Sequence, residues 1–184
     1  MKPTTDLSSF DNRWYKPGPL HLRLGWYMIN MLFFKPAWFP FNSVKRSLLR
    51  VFGAKVGKGV VIKPCVNIKY PWKLEIGDFS WIGEQVWIDN LAKVHIGDHV
   101  CISQGAMLLC GNHNYKKPSF DLIIQTIVLE DGVWIGAKTV VTAGTVCRTH
   151  SILTVGSIAT GELAAYQIYQ GNPAIVVRER TMDS

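Results

Sequence analysis

Aliphatic residues recur at every sixth position over more than half of this chain of 184 residues. The series runs Val56, Ile62, Ile68; Ile76, Ile82, Ile88; Ile96, Ile102, Leu108; and Leu129, Ile135, Val141, Cys147, Leu153. A small residue often follows (Gly57, Gly77, Gly83, Gly97, Gly136). A small or β-branched one often stands four places on (Val60, Val66, Val86, Val100, Ala106, Thr139, Thr145, Ser151, Ser157). Neither a helix nor a paired strand has this period. Short hexapeptide repeats mark a parallel β-helix, so the chain reads as all-β. Each repeat supplies one short strand and one corner, and three repeats close a triangular coil around an axis of stacked aliphatic side chains.

A longer period lies over the short one. Leu74 to Gly83 can be laid on Val94 to Ser103, and both on Ile127 to Gly136. The first offset, Ile76 to Ile96, is 20 residues: three hexapeptides and a two-residue corner insertion, as also between Ile68 and Ile76. The second, Ile96 to Leu129, is 33, so 13 residues are extra. They fall in a protruding loop at about 111–126, which begins Gly111-Asn112-His113-Asn114-Tyr115. A regular scaffold that extrudes one loop is expected to carry its chemistry there.

The remainder divides simply. Residues 1–55 read as an N-terminal segment with a loosely attached start, a helix over 19–34 and a second over 44–51 capped by Asn42 or Ser43. An open solenoid end needs covering, and this segment is the expected cap. Its aromatic and basic residues also fit peripheral contact with a membrane surface. Residues 56–164 form the β-helix, and 165–184 close the chain with a turn at Gly171-Asn172-Pro173. The start lacks the apolar core of a signal peptide, and Trp26 to Phe34 is too short to span a bilayer. Cytoplasmic localisation, with or without contact with the inner membrane surface, is the expectation. Cys65, Cys101, Cys110 and Cys147 read as unpaired packing residues. A formal charge of +7 favours an anionic partner without naming one. The scattered basic residues carry no nucleic-acid motif. Outward aromatics (Trp72, Trp81, Trp87, Trp134) predict an assembly surface.

The repeats, the histidine loop, Val133-Trp134-Ile135-Gly136-Ala137 and the closing Gly171-Asn172-Pro173-Ala174 together resemble the hexapeptide-repeat acyltransferases. Within these, Trp87 to Leu91, Ser103 to Ala106, His113 to Leu122 and the lead-in Leu48 to Lys55 resemble the colanic-acid-biosynthesis acetyltransferase group. The resemblance covers roughly residues 12–180. It implies a left-handed β-helix, acetyl-CoA as co-substrate, and a homotrimer with sites between neighbouring coils. His113 matches the family's catalytic histidine, and an imidazole suits removal of a hydroxyl proton at neutral pH. Asp89, Asn90, Asn112, Asn114 and Tyr115 are the expected acceptor contacts. Trp134, Ala137, Lys138, Val155, Gly156 and Thr160 match the pantetheine groove, with Arg178 and Arg180 for the phosphates. Thr160-Gly161 stands where the family often has Thr-Lys, so one basic contact is missing.

The implied function is O-acetylation of a sugar hydroxyl in exopolysaccharide or envelope glycan synthesis, on a free or lipid-linked saccharide. Alternatives are acetylation of an antibiotic or amino group, a non-catalytic scaffold, and a zinc hydratase using His95, His99 and His113. No resident metal is expected, because zinc needs three or four converging ligands.

Overall fold

The computed structural model describes residues 3–182, and their core is a parallel β-solenoid of about six turns. Its strands form three faces. The first face stacks Lys55–Val56, Leu74–Ile76, Val94–Ile96, Ile127–Leu129, Val146–Cys147 and Glu162–Leu163. The second stacks Val61–Ile62, Trp81–Ile82, Cys101–Ile102, Trp134–Ile135, Ile152–Leu153 and Gln167–Gly171, and ends in the antiparallel strand Ala174–Glu179. The third stacks Asn67–Ile68, Trp87–Asp89, Met107–Leu109, Val140–Val141 and Ile158–Ala159.

Register places like over like. Ile62, Ile82, Ile102, Ile135 and Leu153 form one column, and Ile68, Ile88, Leu108, Val141 and Ala159 another. These side chains are buried, as are the small residues four places on. Each aliphatic so placed contributes about 1.5–3 kcal/mol over leaving it in water. Small residues fit beside them because the corners turn tightly: Gly59, Phe79, His99, Gly132, His150 and Tyr166 all have positive φ at one corner. His99 stacks on Phe79 there, and His150 on Tyr166.

The three corners differ. Between the first and second faces, and between the second and third, successive core residues are always six apart. Between the third face and the next first-face strand the step is eight (Ile68 to Ile76, Ile88 to Ile96), then twenty-one (Leu108 to Leu129), then six (Val141 to Cys147), then four (Ala159 to Leu163). The last contraction shifts the beat, so the solenoid runs past residue 164 and Tyr169 is its final core side chain.

The helices are α1 (Leu20–Ile29), continued by a π-helical turn Asn30–Phe34, and α2 (Asn42–Val51). They cover the first coil. Trp26 Nε1 donates to Ile68 O (2.7 Å), the wholly buried Lys45 Nζ to Ile62 O and Lys63 O (3.2 and 3.0 Å), and Arg46 Nη1 to Val60 O (2.7 Å). Arg50 Nη2 donates to Val56 O and Gly57 O (2.7 and 2.9 Å). Side chains thus occupy carbonyls that a preceding coil would otherwise have met. Asn42 does not cap its own helix: its Oδ1 accepts from Ile62 N–H at 2.7 Å, serving the same edge. Trp72 is not an outward aromatic. It sits in the 3₁₀ turn Pro71–Lys73, half-buried, and donates to Pro17 O at 3.1 Å.

The described part of the start, from residue 3, is attached, contrary to the expectation for residues 1–11, of which 1–2 lie outside the described residues. Asp6 N–H donates to Pro118 O at 2.8 Å, and Tyr15 Oη to Leu91 O at 2.8 Å. These bonds draw the N-terminal strap along the expanded corner to the histidine loop.

Candidate active site

The loop leaves the expanded corner as an antiparallel pair, Gly111–His113 with Leu122–Ile124, with His113 opposite Leu122. His113 Nδ1 lies 2.9 Å from Phe120 O. A carbonyl only accepts, so Nδ1 is the donor, and in the neutral ring Nε2 then carries the lone pair. Two rings hold the imidazole. Phe120 stacks on it (4.4 Å between centroids, 10° between planes), and Phe10 of the strap leans on it (5.9 Å, 52°). The result is a half-buried imidazole whose orientation and tautomer are set before any ligand arrives.

The other loop residues serve mainly to shape it. Asn112 Oδ1 accepts from His113 N–H (2.8 Å) and Asn114 Oδ1 from Lys116 N–H (3.1 Å), both local turns. Tyr115 is exposed. Asp121 accepts from Ser119 Oγ (2.6 Å) and from Lys117 Nζ (2.9 Å), and the serine bond, then the lysine, hold its carboxyl below the usual range. Asp89 is on the outward side of the third face, one strand before the loop, with Oδ1 2.8 Å from Lys69 Nζ. Asn90 is fully buried, and both ends of its amide bond the backbone of Tyr70 (Oδ1 from N–H, 2.9 Å; Nδ2 to O, 2.6 Å). It braces the corner and has no free group for a ligand, which removes it from the expected acceptor contacts.

A groove of about 560 Å³ runs along the second face and the corner beyond it. Trp134, Ala137, Val155 and Arg178 line it, together with Ser103, Gln104 and Thr154. Trp134 donates from Nε1 to Ser103 Oγ at 3.0 Å, which sets its ring against the wall. Gly156 N–H donates to Ala137 O (2.9 Å) and Lys138 N–H to Gln104 O (3.0 Å), so these two brace the rim from the turn. Two expected contacts lie elsewhere. Thr160 follows the third-face strand Ile158–Ala159, at the contracted corner. Arg180 Nη1 is spent on Gly132 O (2.9 Å) and His150 O (3.1 Å), at the corner between the first two faces. Of the cationic candidates, Arg178 is the one in the groove. Ser103 and Gln104 were findable, since the 33-residue offset lays Ser103 on Gly136.

His95, His99 and His113 do not converge. His95 points out from the first face beside Glu75 (3.4 Å), His99 is a corner residue on Phe79, and His113 is in the loop.

No protein-family profile matches the chain. Over 157 residues, it is 36% identical to an Escherichia coli K12 protein provisionally described as a colanic acid biosynthesis acetyltransferase, WcaF. That alignment spans 84% of this chain and 85% of the relative. The chain belongs to the hexapeptide-repeat acetyltransferase family. It is 27% identical over 138 residues to the galactoside O-acetyltransferase of Escherichia coli K12, spanning 73% of this chain and 68% of the relative. Its fold matches that of a Vibrio cholerae hexapeptide-repeat acetyltransferase solved with acetyl-coenzyme A (TM-score 0.77, 23% identity, 88% of each chain). The chain is therefore a CoA-dependent acetyltransferase, with acetyl-CoA as co-substrate.

Proposed function

We propose that this member of the family is an O-acetyltransferase that moves an acetyl group from acetyl-CoA to a sugar hydroxyl, with His113 as general base. The observation that carries the reading is the Nδ1–Phe120 O bond, which leaves Nε2 free to accept a proton. Nε2 takes the proton of the sugar hydroxyl as its oxygen attacks the thioester carbonyl. The tetrahedral intermediate collapses, the C–S bond breaks, and the imidazolium returns the proton to the departing CoA thiolate. No covalent enzyme intermediate forms. The groove suits the pantetheine arm: apolar side walls, peptide groups along its length and Arg178 for phosphate. A saccharide acceptor is favoured because the relatives named above are a galactoside acetyltransferase and a protein of polysaccharide synthesis.

The active unit we propose is a homotrimer. Outward residues of the first face include Lys55, Glu75, His95 and Glu162, and Glu75 pairs with Lys55 (2.9 Å) and Lys93 (3.3 Å). The second face presents Val61, Trp81 and Trp134, and the third Trp87, Met107, Val140 and Ile158. Two apolar faces meeting at one edge, backed by a charged face, suit packing around a three-fold axis. Each second-face groove then meets the His113 loop of a neighbouring copy. Mixed trimers of His113→Ala and Trp134→Ala chains test this, since only a shared site regains activity on mixing. Failure of the wild type to acetylate any sugar with acetyl-CoA would overturn the activity itself.

A further inference from the structure

Among the described residues, the buried side-chain polar atoms without an aligned hydrogen bond are Arg23 Nε, Asn30 Oδ1, Asp89 Oδ1 and Ser151 Oγ. Such atoms are few in folded proteins, and each asks for an explanation. The first three belong to residues that line one groove of about 400 Å³, between α1 and the third face. That volume is in the range of small-molecule sites.

Asn30 is 94% buried by its 6% exposure, and its Nδ2 is already committed to Asn67 Oδ1 at 2.7 Å, leaving Oδ1 without a donor. Arg23 Nε is a donor without an acceptor. Asp89 Oδ1 is met by the Lys69 ammonium at 2.8 Å. The unmet demand is thus mixed, one donor on Arg23 and one acceptor on Asn30. A phosphate or carboxylate would pair with Arg23, Lys35 or Lys69 of the lining but brings no donor to Asn30 Oδ1. An apolar ligand meets neither. A hydroxyl both donates and accepts, so a neutral polyol answers both. The ring of Tyr27, exposed in the groove wall, supplies flat apolar surface for the C–H face of a sugar ring.

Position narrows the role. Asp89 pairs with Leu109, four residues before His113. One strand spacing and four extended residues put the groove edge at most about 18 Å from the catalytic loop along the chain. We propose that this groove is a saccharide subsite holding a second sugar unit of an extended acceptor, separate from the ring that is acetylated. This rests on the saccharide reading above.

The test uses calorimetric titration of full-length protein with maltotetraose, cellotetraose and de-O-acetylated colanic acid oligosaccharides, alongside acetyl transfer to the same probes and to glucose. Arg23→Gln and Tyr27→Ala are expected to weaken oligosaccharide binding at least tenfold and to raise its KM equally, leaving kcat and transfer to glucose unchanged. His113→Ala is expected to bind the oligosaccharide like wild type. Equal binding by the groove variants, equal losses on glucose and oligosaccharide, or no binding of any probe to wild type would overturn the subsite. Binding that depends on Arg23 and Tyr27, without acetylation of any sugar, would keep the subsite and overturn the acceptor reading instead.

Discussion

Two corners of the solenoid never change length, and the third never settles on one. The fixed corners step six residues between core side chains in every coil, whereas the third steps eight, eight, twenty-one, six and four. The core columns pass through both kinds without a break. Stacking therefore demands register on the faces, not uniform corners. Loop-closure cost grows slowly with length, so one corner can be lengthened at modest cost if the strands on either side keep their partners. All of the variation is at the edge that bears His113, and the fixed corner between the second and third faces forms the rim of the groove.

The sharpest way to break this contrast is to remove the chemistry and leave the corner. His113→Ala is expected to lower kcat/KM about 10²–10⁴-fold, with the thermal midpoint held within a few degrees. A loss of folding alongside activity would make the loop structural. Next, a Gly-Ser insertion between Ala143 and Gly144 should shift the urea midpoint little, about 1 kcal/mol or less. The same insertion between Asp131 and Gly132 should cost several kcal/mol, because it interrupts the corner that keeps one length in every coil, where Gly132 stands in a column of positive-φ residues with His150 Nε2 2.6 Å from where a β-carbon would be. Equal shifts would mean the corners are alike after all. For the groove, Trp134→Ala should weaken acetyl-CoA about tenfold by titration, about 1.4 kcal/mol, without a stability change of like size. The smallest effect concerns the cap. Burial pushes the Lys45 ammonium down from 10.5 to about 8. Between those values the unfolded chain holds a proton that the folded chain has released, so this contribution raises stability as pH rises. Wild type should gain on Lys45→Met from pH 8 to 10.5; a constant difference would show that Lys45 titrates normally.

The solenoid was legible because a period of six has one structural meaning and each aliphatic column repeats it. The loop was legible as an interruption of that period, and His113 by the family motif around it. Thr160 and Arg180 were misplaced for a local reason: the contraction after Ala159 and the bonds of Arg180 to Gly132 and His150 leave no mark in a repeat count. Asn90 was misread because a turn asparagine that binds a ligand and one that clasps Tyr70 have the same sequence signature. The strap was missed because Phe10 meets His113 across a sequence separation that no periodicity reports.

The cations that occupy the first coil also decide how the molecule can grow. A bare terminal coil would be a template, able to accept the last coil of another copy and begin a filament. Here Lys45, Arg46 and Arg50 fill the carbonyls at one end, and the hairpin of Gln167–Gly171 with Ala174–Glu179 folds back at the other. The filled carbonyls of the first coil block that lengthwise addition at its end of the rod.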